Sequence, residues 1–245
     1  MNENIDHSIY NNNQIAEVIC QLRFPQILSI EANLPDKFQD AIRDIFPIYL
    51  LRKETIGENT INNYQFSSAD GIWRINLTAN FISLTCSRYT RWEDFAAMLD
   101  TPLAAFIQIY KPAFYERVGL RYLNLISRKS LCLEHIPFRQ LFNPCYLGLL
   151  GDEEVSENTI GRSSVDAEIG LRGGCRAKIH AGPGKVTKNG QTDPEVKFIL
   201  DLDLFMLGNI PVNTSAGALQ TLHIQSFKLF RSAITDVLHE ALDAV

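Results

Sequence analysis

The stretch YERVGLRYLNLI, Tyr115–Ile126, predicts the central element of the fold. Apolar residues such as Leu120 and Tyr122 alternate with the polar Arg117 and Arg121. A period of two is typical of a β-strand with one buried face, because successive side chains of a strand point to opposite faces. We therefore expect a strand whose two arginines share one face while its apolar side chains pack against a core.

A second alternating stretch, AEVICQLRF at positions 16–24, predicts a similar strand early in the chain. Each of these two strands is followed by a short helical pattern, by further strands and then by a long helical pattern. In the first part these are a helix over 33–46, strands over 63–68, 73–80 and 81–89, and a helix over 92–110; in the second part they are a short helix over 136–142, strands over 164–171, 175–181 and 196–205, and a helix over 219–242. Strands outnumber helices, which favours an α+β fold with a mostly antiparallel sheet.

The repeated order of elements predicts two similar halves, each a mostly antiparallel sheet with a short helix and a long closing helix. We expect a flexible N-terminal arm over residues 1–14, a first α+β half over 15–112 and a second over 113–245. Lys111 and Pro112 interrupt the chain between the halves, because proline ends or kinks a helix. By analogy, a duplication of this kind is TATA-binding-protein-like or helix-grip-like, and a fold analogy carries no function.

The composition excludes several classes of protein. The 245 residues carry 23 basic and 28 acidic side chains, a net charge of −5, with no basic tail. Clustered cations drive non-specific nucleic-acid binding, so that activity is not favoured. Five widely spaced cysteines without a CxxC motif favour a reducing compartment over a disulfide framework. No signal peptide and no apolar run of about 20 residues is visible, so we expect a cytoplasmic protein without a membrane span.

Charged residues line one face of the predicted second-half sheet. Unbroken alternation over LRGGCRAKIH would place Arg172, Arg176, Lys178 and His180 on one face, although Gly173-Gly174 would also suit a turn or a bulge. One interpretation is an anion or nucleic-acid surface. The other is a ladder of salt bridges, which would cancel most of the field. We expect partial pairing, with Arg172 and Arg176 left for an acidic partner.

Asp201 and Asp203 fall on one face of the strand VKFILDLDLF, with leucines on the other. Two carboxylates at this spacing lie about 7 Å apart, a separation that acid–base or metal chemistry can use. Ion pairing with neighbouring strands is the alternative. The GPGK segment, 182–185, lacks the P-loop spacing and is predicted to belong to a loop over 182–194. No nucleophile elbow or metal spacing is present, so we predict no catalytic residue, no metal and no cofactor.

Three stretches resemble a sporadically distributed bacterial family of unknown function, about 250 residues long. They are the opening EVICQLRF, the segment RVGLRYLN at Arg117–Asn124, which carries an RxGLRYxN motif, and the late pair ILDLDLF and HIQSFKLFRSAIT. The resemblance spans nearly the whole chain. It implies a common fold and a bacterial source, and it implies no activity.

The residues favour a non-enzymatic binding or assembly protein that recognises a protein partner through a polar sheet face, although catalytic activity stays an open question. We expect the partner to be encoded nearby, and homo-oligomers are an open alternative. A small-ligand or enzymatic protein with a pocket between sheet and helices is the second hypothesis, and a nucleic-acid-binding accessory protein is the third. The predicted binding residues are Arg117, Arg121, Arg172, Arg176, Lys178, Asp201 and Asp203.

Overall fold

The computed structural model describes residues 9–56, 59–188 and 190–244. The strands are β1 (Ile15–Arg23), β2 (Ile48–Ile56), β3 (Asn59–Ser67), β4 (Trp73–Leu77), β5 (Phe81–Cys86), β6 (Tyr115–Ile126), β7 (Val165–Gly170), β8 (Arg176–Lys188) and β9 (Gln191–Ile210). The α-helices are α1 (Leu28–Ala32), α2 (Asp36–Ile42), α3 (Trp92–Tyr110), α4 (Phe138–Leu141), α5 (Ser215–Ala233) and α6 (Asp236–Ala241). The α+β class is confirmed.

All nine strands belong to one antiparallel sheet with the order β2-β3-β4-β5-β1-β6-β9-β8-β7. In β1, Cys20 lies opposite Leu84 of β5, and Gln21 lies opposite Ser83. Because the side-chain period is two, this register places apolar pairs on one face and polar pairs on the other. The predicted antiparallel arrangement is therefore confirmed.

The chain forms two compact units, and each is built from separate segments. Unit 1 consists of the described residues of 1–16, 121–204 and 223–245, and unit 2 consists of residues 17–120 and 205–222. The boundary that the sequence predicts, between residues 112 and 113, stays a prediction. Residues 1–8 of the predicted N-terminal arm lie outside the described residues, and Tyr10 forms a β-bridge with Ala244.

The core of unit 2 packs α3 against the sheet. Phe95 and Phe106 of α3 are fully buried, and the Phe106 ring lies 4.8 Å from the ring of Phe24. The sequence predicts both ends of α3 correctly, and the helix continues through Pro102. By contrast, the helix predicted over 33–46 covers only α2, and β2 and α1 were not predicted.

The core of unit 1 lies beneath β9, where Phe198, Leu200 and Leu202 are buried at alternate positions. The Phe142 ring stacks on Phe198 with 3.8 Å between the centroids. Apolar side chains at every second residue exclude water from one face of the strand and leave Asp201 on the other. This face contributes to the stability of the unit, because burial of apolar area drives folding.

The single helix predicted over 219–242 is wrong, because the chain breaks between α5 and α6. The Ile234 backbone forms a β-bridge with Phe142, and the Thr235 amide donates to the Leu141 carbonyl at 3.0 Å. Backbone groups bound in this way cannot continue a helix. Ile234 and Leu238 are buried, whereas Phe227 and Phe230 are only half-buried.

The loop predicted over 182–194 is also wrong, because β8 and β9 form a long hairpin through most of it. β8 continues to Lys188 and β9 begins at Gln191, so only two residues separate the strands. β7 pairs with β8 as far as Ala181. Pro183 therefore lies beyond the last pair with β7, where proline in a strand removes no hydrogen bond to that neighbour.

Among the described residues, no helix combines the length and the apolar composition that are needed to cross a membrane.

Candidate functional site

Arg117 lies flat on the polar face of β6. A Cβ atom added at Gly119 would fall 2.0 Å from Arg117 Nη1, so the absent side chain leaves the space that the guanidinium fills. The Arg117 Cζ atom lies 4.9 Å from the ring centroid of Phe205, within the range of a cation–π interaction. The RVG pattern thus holds a cation against the strand, and its signal in the sequence is the glycine two residues after the arginine.

Arg121 and Asp201 form a bidentate salt bridge on the polar side of unit 1. Arg121 Nε donates to Asp201 Oδ1 at 2.7 Å, and Nη2 donates to Oδ2 at 2.5 Å. The Asp201 side chain is 17% exposed and that of Arg121 is 43% exposed. Two parallel bonds fix the orientation of both groups. This pair is one of the salt bridges that the second interpretation of the charged face predicts, in place of an anion site.

Arg176 and Lys178 project from β8 on the side opposite the buried Ala177. Arg176 Nη2 lies 2.5 Å from Glu168 Oε1 of β7, and Lys178 Nζ lies 4.0 Å from Glu168 Oε2. The register places Glu168 directly across from Lys178, so a single carboxylate serves both cations. Their side chains are 50% and 61% exposed, and contacts at such exposure contribute about 0–1 kcal/mol each.

His180 continues the same row and pairs with Asp166. The two residues are opposite each other in the β7–β8 register, and His180 Nδ1 lies 2.7 Å from Asp166 Oδ1. This hydrogen bond lowers the pKa of the Asp166 carboxyl below its usual value, and the charges of His180 and Arg162 lower it further. The pair is exposed to solvent, so the arrangement stabilises a surface charge and does not create a reactive one.

Arg172 does not lie on the predicted strand. It begins a short 3₁₀ turn, Arg172–Gly174, in which Gly173 and Gly174 both have φ of 74°. Positive φ favours glycine, so the glycine pair makes the turn between β7 and β8. The expectation that Arg172 and Arg176 are left for an acidic partner is wrong, since Arg176 pairs with Glu168 and Arg172 is not without a partner either.

The structure brings Arg121 and Asp201 together and places Asp203 two residues further along the same face of β9. We name the set Arg121, Arg176, Lys178, His180, Asp166, Glu168, Asp201 and Asp203 the paired face. No group of three or more His, Cys, Asp or Glu side chains in the described ranges is placed to hold a metal ion. The contacts within the paired face are salt bridges and hydrogen bonds.

Sequence reasoning missed a cavity in unit 2. It has a volume of about 360 Å³ and lies between α1, β3 and the turn that connects β4 to β5. Residues from three separate parts of the chain line it, including Glu31, Asn62 and Asn80. These residues carry no common motif or spacing, so nothing in the sequence could have identified them as neighbours.

No protein-family model matches this chain, and no curated protein matches it either. The resemblance to a bacterial family stays a prediction.

Proposed function

We propose that this protein is a non-enzymatic binding or assembly protein that recognises a protein partner through the paired face. The observation that carries the proposal is the row of exposed salt bridges on β7 and β8, with Arg176 and Lys178 on Glu168 and His180 on Asp166. Exposed side chains of both signs on a regular strand surface can exchange their partners for those of another protein. Such charges govern association rate and specificity more than affinity.

The pairing favours a partner of mixed charge. Glu168 neutralises part of the charge of Arg176 and Lys178, so an acidic surface would gain little from these cations. The same pairing argues against a nucleic-acid partner, because binding to phosphates depends on protein cations that displace the counterions of the phosphates. We therefore rank the nucleic-acid hypothesis third.

The experiment is a capture of partners from the native host with tagged protein, followed by reconstitution of the purified complex. The double variant Arg176→Ala/Lys178→Ala is expected to lose the partner and keep its melting temperature within a few degrees. The matched control is Lys37→Ala/Arg43→Ala, which removes two exposed cations from the region of α2. A reconstituted complex equally stable with both double variants would overturn the proposal.

We also propose that the chain arose by duplication of one α+β motif, in a TATA-binding-protein-like or helix-grip-like manner. The strand order supports this. In the sheet, β5 and then β4 lie next to β1 on one side, and β9 and then β8 lie next to β6 on the other side. The last long helix of each part, α3 and α5, has 19 residues. Residues 113–245 would then repeat the plan of residues 15–112.

A small-ligand function is the second candidate, and a separate observation favours it. The cavity of unit 2 lies between the sheet and the short helix α1, and it supports a pocket between sheet and helices. Its volume is within the range of small-molecule sites, about 300–1,000 Å³.

A further inference from the structure

The cavity of unit 2 combines an apolar wall with several polar groups. Ile30 from α1, Ile61 from β3 and Ala79 from the β4–β5 turn supply apolar surface. Gln26, Glu31, Asn62, Tyr64 and Asn80 supply the polar groups. The lining is thus about half polar and half apolar, which suits a small ligand with both a polar group and a hydrocarbon part.

Two of these polar groups have no partner within the described residues. Tyr64 is only 2% exposed and lines the cavity, and its hydroxyl makes no hydrogen bond to residues 9–56, 59–188 or 190–244. The carboxamide of Asn62, half-buried in the same wall, likewise makes none to these residues. Neither group is a fully buried atom, so solvent reaches both of them in the cavity. A ligand bound there can replace water as their hydrogen-bond partner.

Glu31 gives the cavity its charge. Among the described lining residues it is the only charged side chain, and no lysine, arginine or histidine accompanies it. Its Oε2 accepts a hydrogen bond from Gln26 Nε2 at 2.6 Å, which fixes the orientation of the carboxylate. An uncompensated carboxylate attracts a cation and repels an anion. The cavity is therefore suited to a positively charged ligand.

The other polar groups favour an ammonium group in particular. An ammonium carries three donors and no acceptor, and the carboxylate of Glu31, the amide oxygen of Asn62 and the phenol oxygen of Tyr64 are all acceptors. The Asn80 amide oxygen already accepts from Thr78 Oγ1 at 3.0 Å. The apolar wall would receive a short hydrocarbon chain.

We propose that this cavity binds a small protonated aliphatic amine, with the ammonium group at Glu31 and Asn62 and the hydrocarbon chain against Ile30 and Ile61. This site goes beyond the proposed partner binding, lies in unit 2 and uses none of the residues of the paired face. It requires only acceptor groups and a carboxylate that the chain itself supplies.

The test compares three four-carbon probes of equal length: putrescine, 1,4-butanediol and succinate. Binding is measured by calorimetry and by the side-chain amide resonances of isotopically labelled protein. We expect putrescine to bind and to shift the Asn62 and Asn80 amide resonances, with succinate not binding. Putrescine binding should weaken as salt is added, because the Glu31 carboxylate is exposed. Equal binding of butanediol and putrescine, or no binding of putrescine, would overturn the proposal.

Two variants locate the site. Glu31→Gln is expected to weaken putrescine binding about tenfold or more, because a charge-assisted hydrogen bond is replaced by a neutral one. Asn62→Leu is expected to weaken it without a loss of folding, since the Asn62 side chain makes no hydrogen bond to the described residues. The control Asp44→Asn changes the net charge equally at an exposed position outside the cavity lining. If this control weakens binding as much as Glu31→Gln does, the amine binds elsewhere.

Discussion

The polar sides of the sheet in the two units use different chemistry. In unit 2, Gln65 Nε2 donates to Asn76 Oδ1 at 2.9 Å, and Asn76 Nδ2 donates to Ser83 Oγ at 3.2 Å. This neutral row is buried, with Gln65 and Ser83 at 9% and 6% exposure. In unit 1 the row consists of salt bridges such as Arg176 with Glu168, which stay in solvent. A satisfied amide can be buried at small cost, whereas a charge cannot.

This contrast separates stability from recognition. The neutral row contributes to folding because its donors and acceptors satisfy one another away from water. The charged row contributes little to folding, and its side chains remain accessible to a partner. The two units should therefore respond differently to pH and to substitution.

The largest expected effect is a loss of stability in alkaline solution, to which two strongly shifted groups of unit 2 contribute. Burial raises the pKa of the Cys20 thiol and of the Tyr110 hydroxyl to about 12. In the unfolded chain the pKa values of these groups are about 8.5 and 10, so folding favours their protonated forms. Their contribution to stability is complete below about pH 8.5 and is lost as the pH rises towards 12.

Urea unfolding from pH 7 to 11, followed by the fluorescence of Trp73 and Trp92, measures this loss. Both tryptophans belong to unit 2. We expect the midpoint to fall above about pH 8.5, and less steeply in a Cys20→Ala variant. A midpoint that stays constant to pH 11 would show that these groups are not protected from ionisation by folding.

The second effect comes from breaking the neutral row. Asn76→Ala removes the acceptor of Gln65 and the donor to Ser83, and both partners are buried. Unsatisfied buried groups cost about 1–3 kcal/mol each, so we expect a loss of about 2 kcal/mol in the free energy of unfolding. Arg74→Ala, on the same strand but exposed, is the control and should change this free energy by less than about 0.5 kcal/mol. Equal losses would mean that burial does not distinguish the two rows.

The third effect is the smaller cost of breaking salt bridges in unit 1. Arg121→Ala leaves the Asp201 carboxylate, 17% exposed, without its bidentate partner, and we expect a loss of about 1 kcal/mol. The double variant Arg176→Ala/Lys178→Ala, on a more exposed carboxylate, should lose less than Arg121→Ala. Chemical denaturation of the three proteins gives the ranking. A reversed order would show that the β7–β8 pairs are structural.

The smallest effect is on the titration of Asp166. His180 lowers the pKa of this carboxyl in the folded protein. The contribution of the pair to stability is therefore complete above the unfolded pKa of about 3.9, and it is lost as the pH falls through the lower pKa of the folded state. We expect carboxyl resonances of Asp166 to titrate below the usual value and to return towards it in His180→Ala. If the titration is the same in both proteins, the hydrogen bond does not persist in solution.

Local pattern predicted the elements whose environment is simple. The alternation over Tyr115–Ile126 gave the bounds of β6, and the apolar positions between Trp92 and Tyr110 gave both ends of α3. β2 was missed because its apolar run, Ile48–Leu51, does not alternate. The apolar periodicity through Ile234 continues without a stop signal, so the break after α5 depends on the bridge to Phe142 and could not be predicted locally.

The candidate site depends on pairing that a single strand does not encode. Alternation correctly placed Arg176 and Lys178 on a polar face, but Glu168 became their partner through the register of β7 and β8. That register follows from the turn at Gly173-Gly174, which also removed Arg172 from the strand. The residues of the cavity are further apart still, because α1 and the β4–β5 turn are separated by more than 40 residues of sequence.

The ends of the strand order have a consequence for aggregation. An edge strand with unpaired backbone groups can add a strand from another molecule. On β8, the stretch after Ala181 has no β7 partner, and Pro183 there lacks the N–H that a new strand would require. On β2, Tyr49 and Leu50 are 41% and 49% exposed, followed by the exposed cations Arg52 and Lys53. Charges at an edge oppose strand addition, so we expect removal of Arg52 and Lys53 to make β2 more prone to pairing with another molecule.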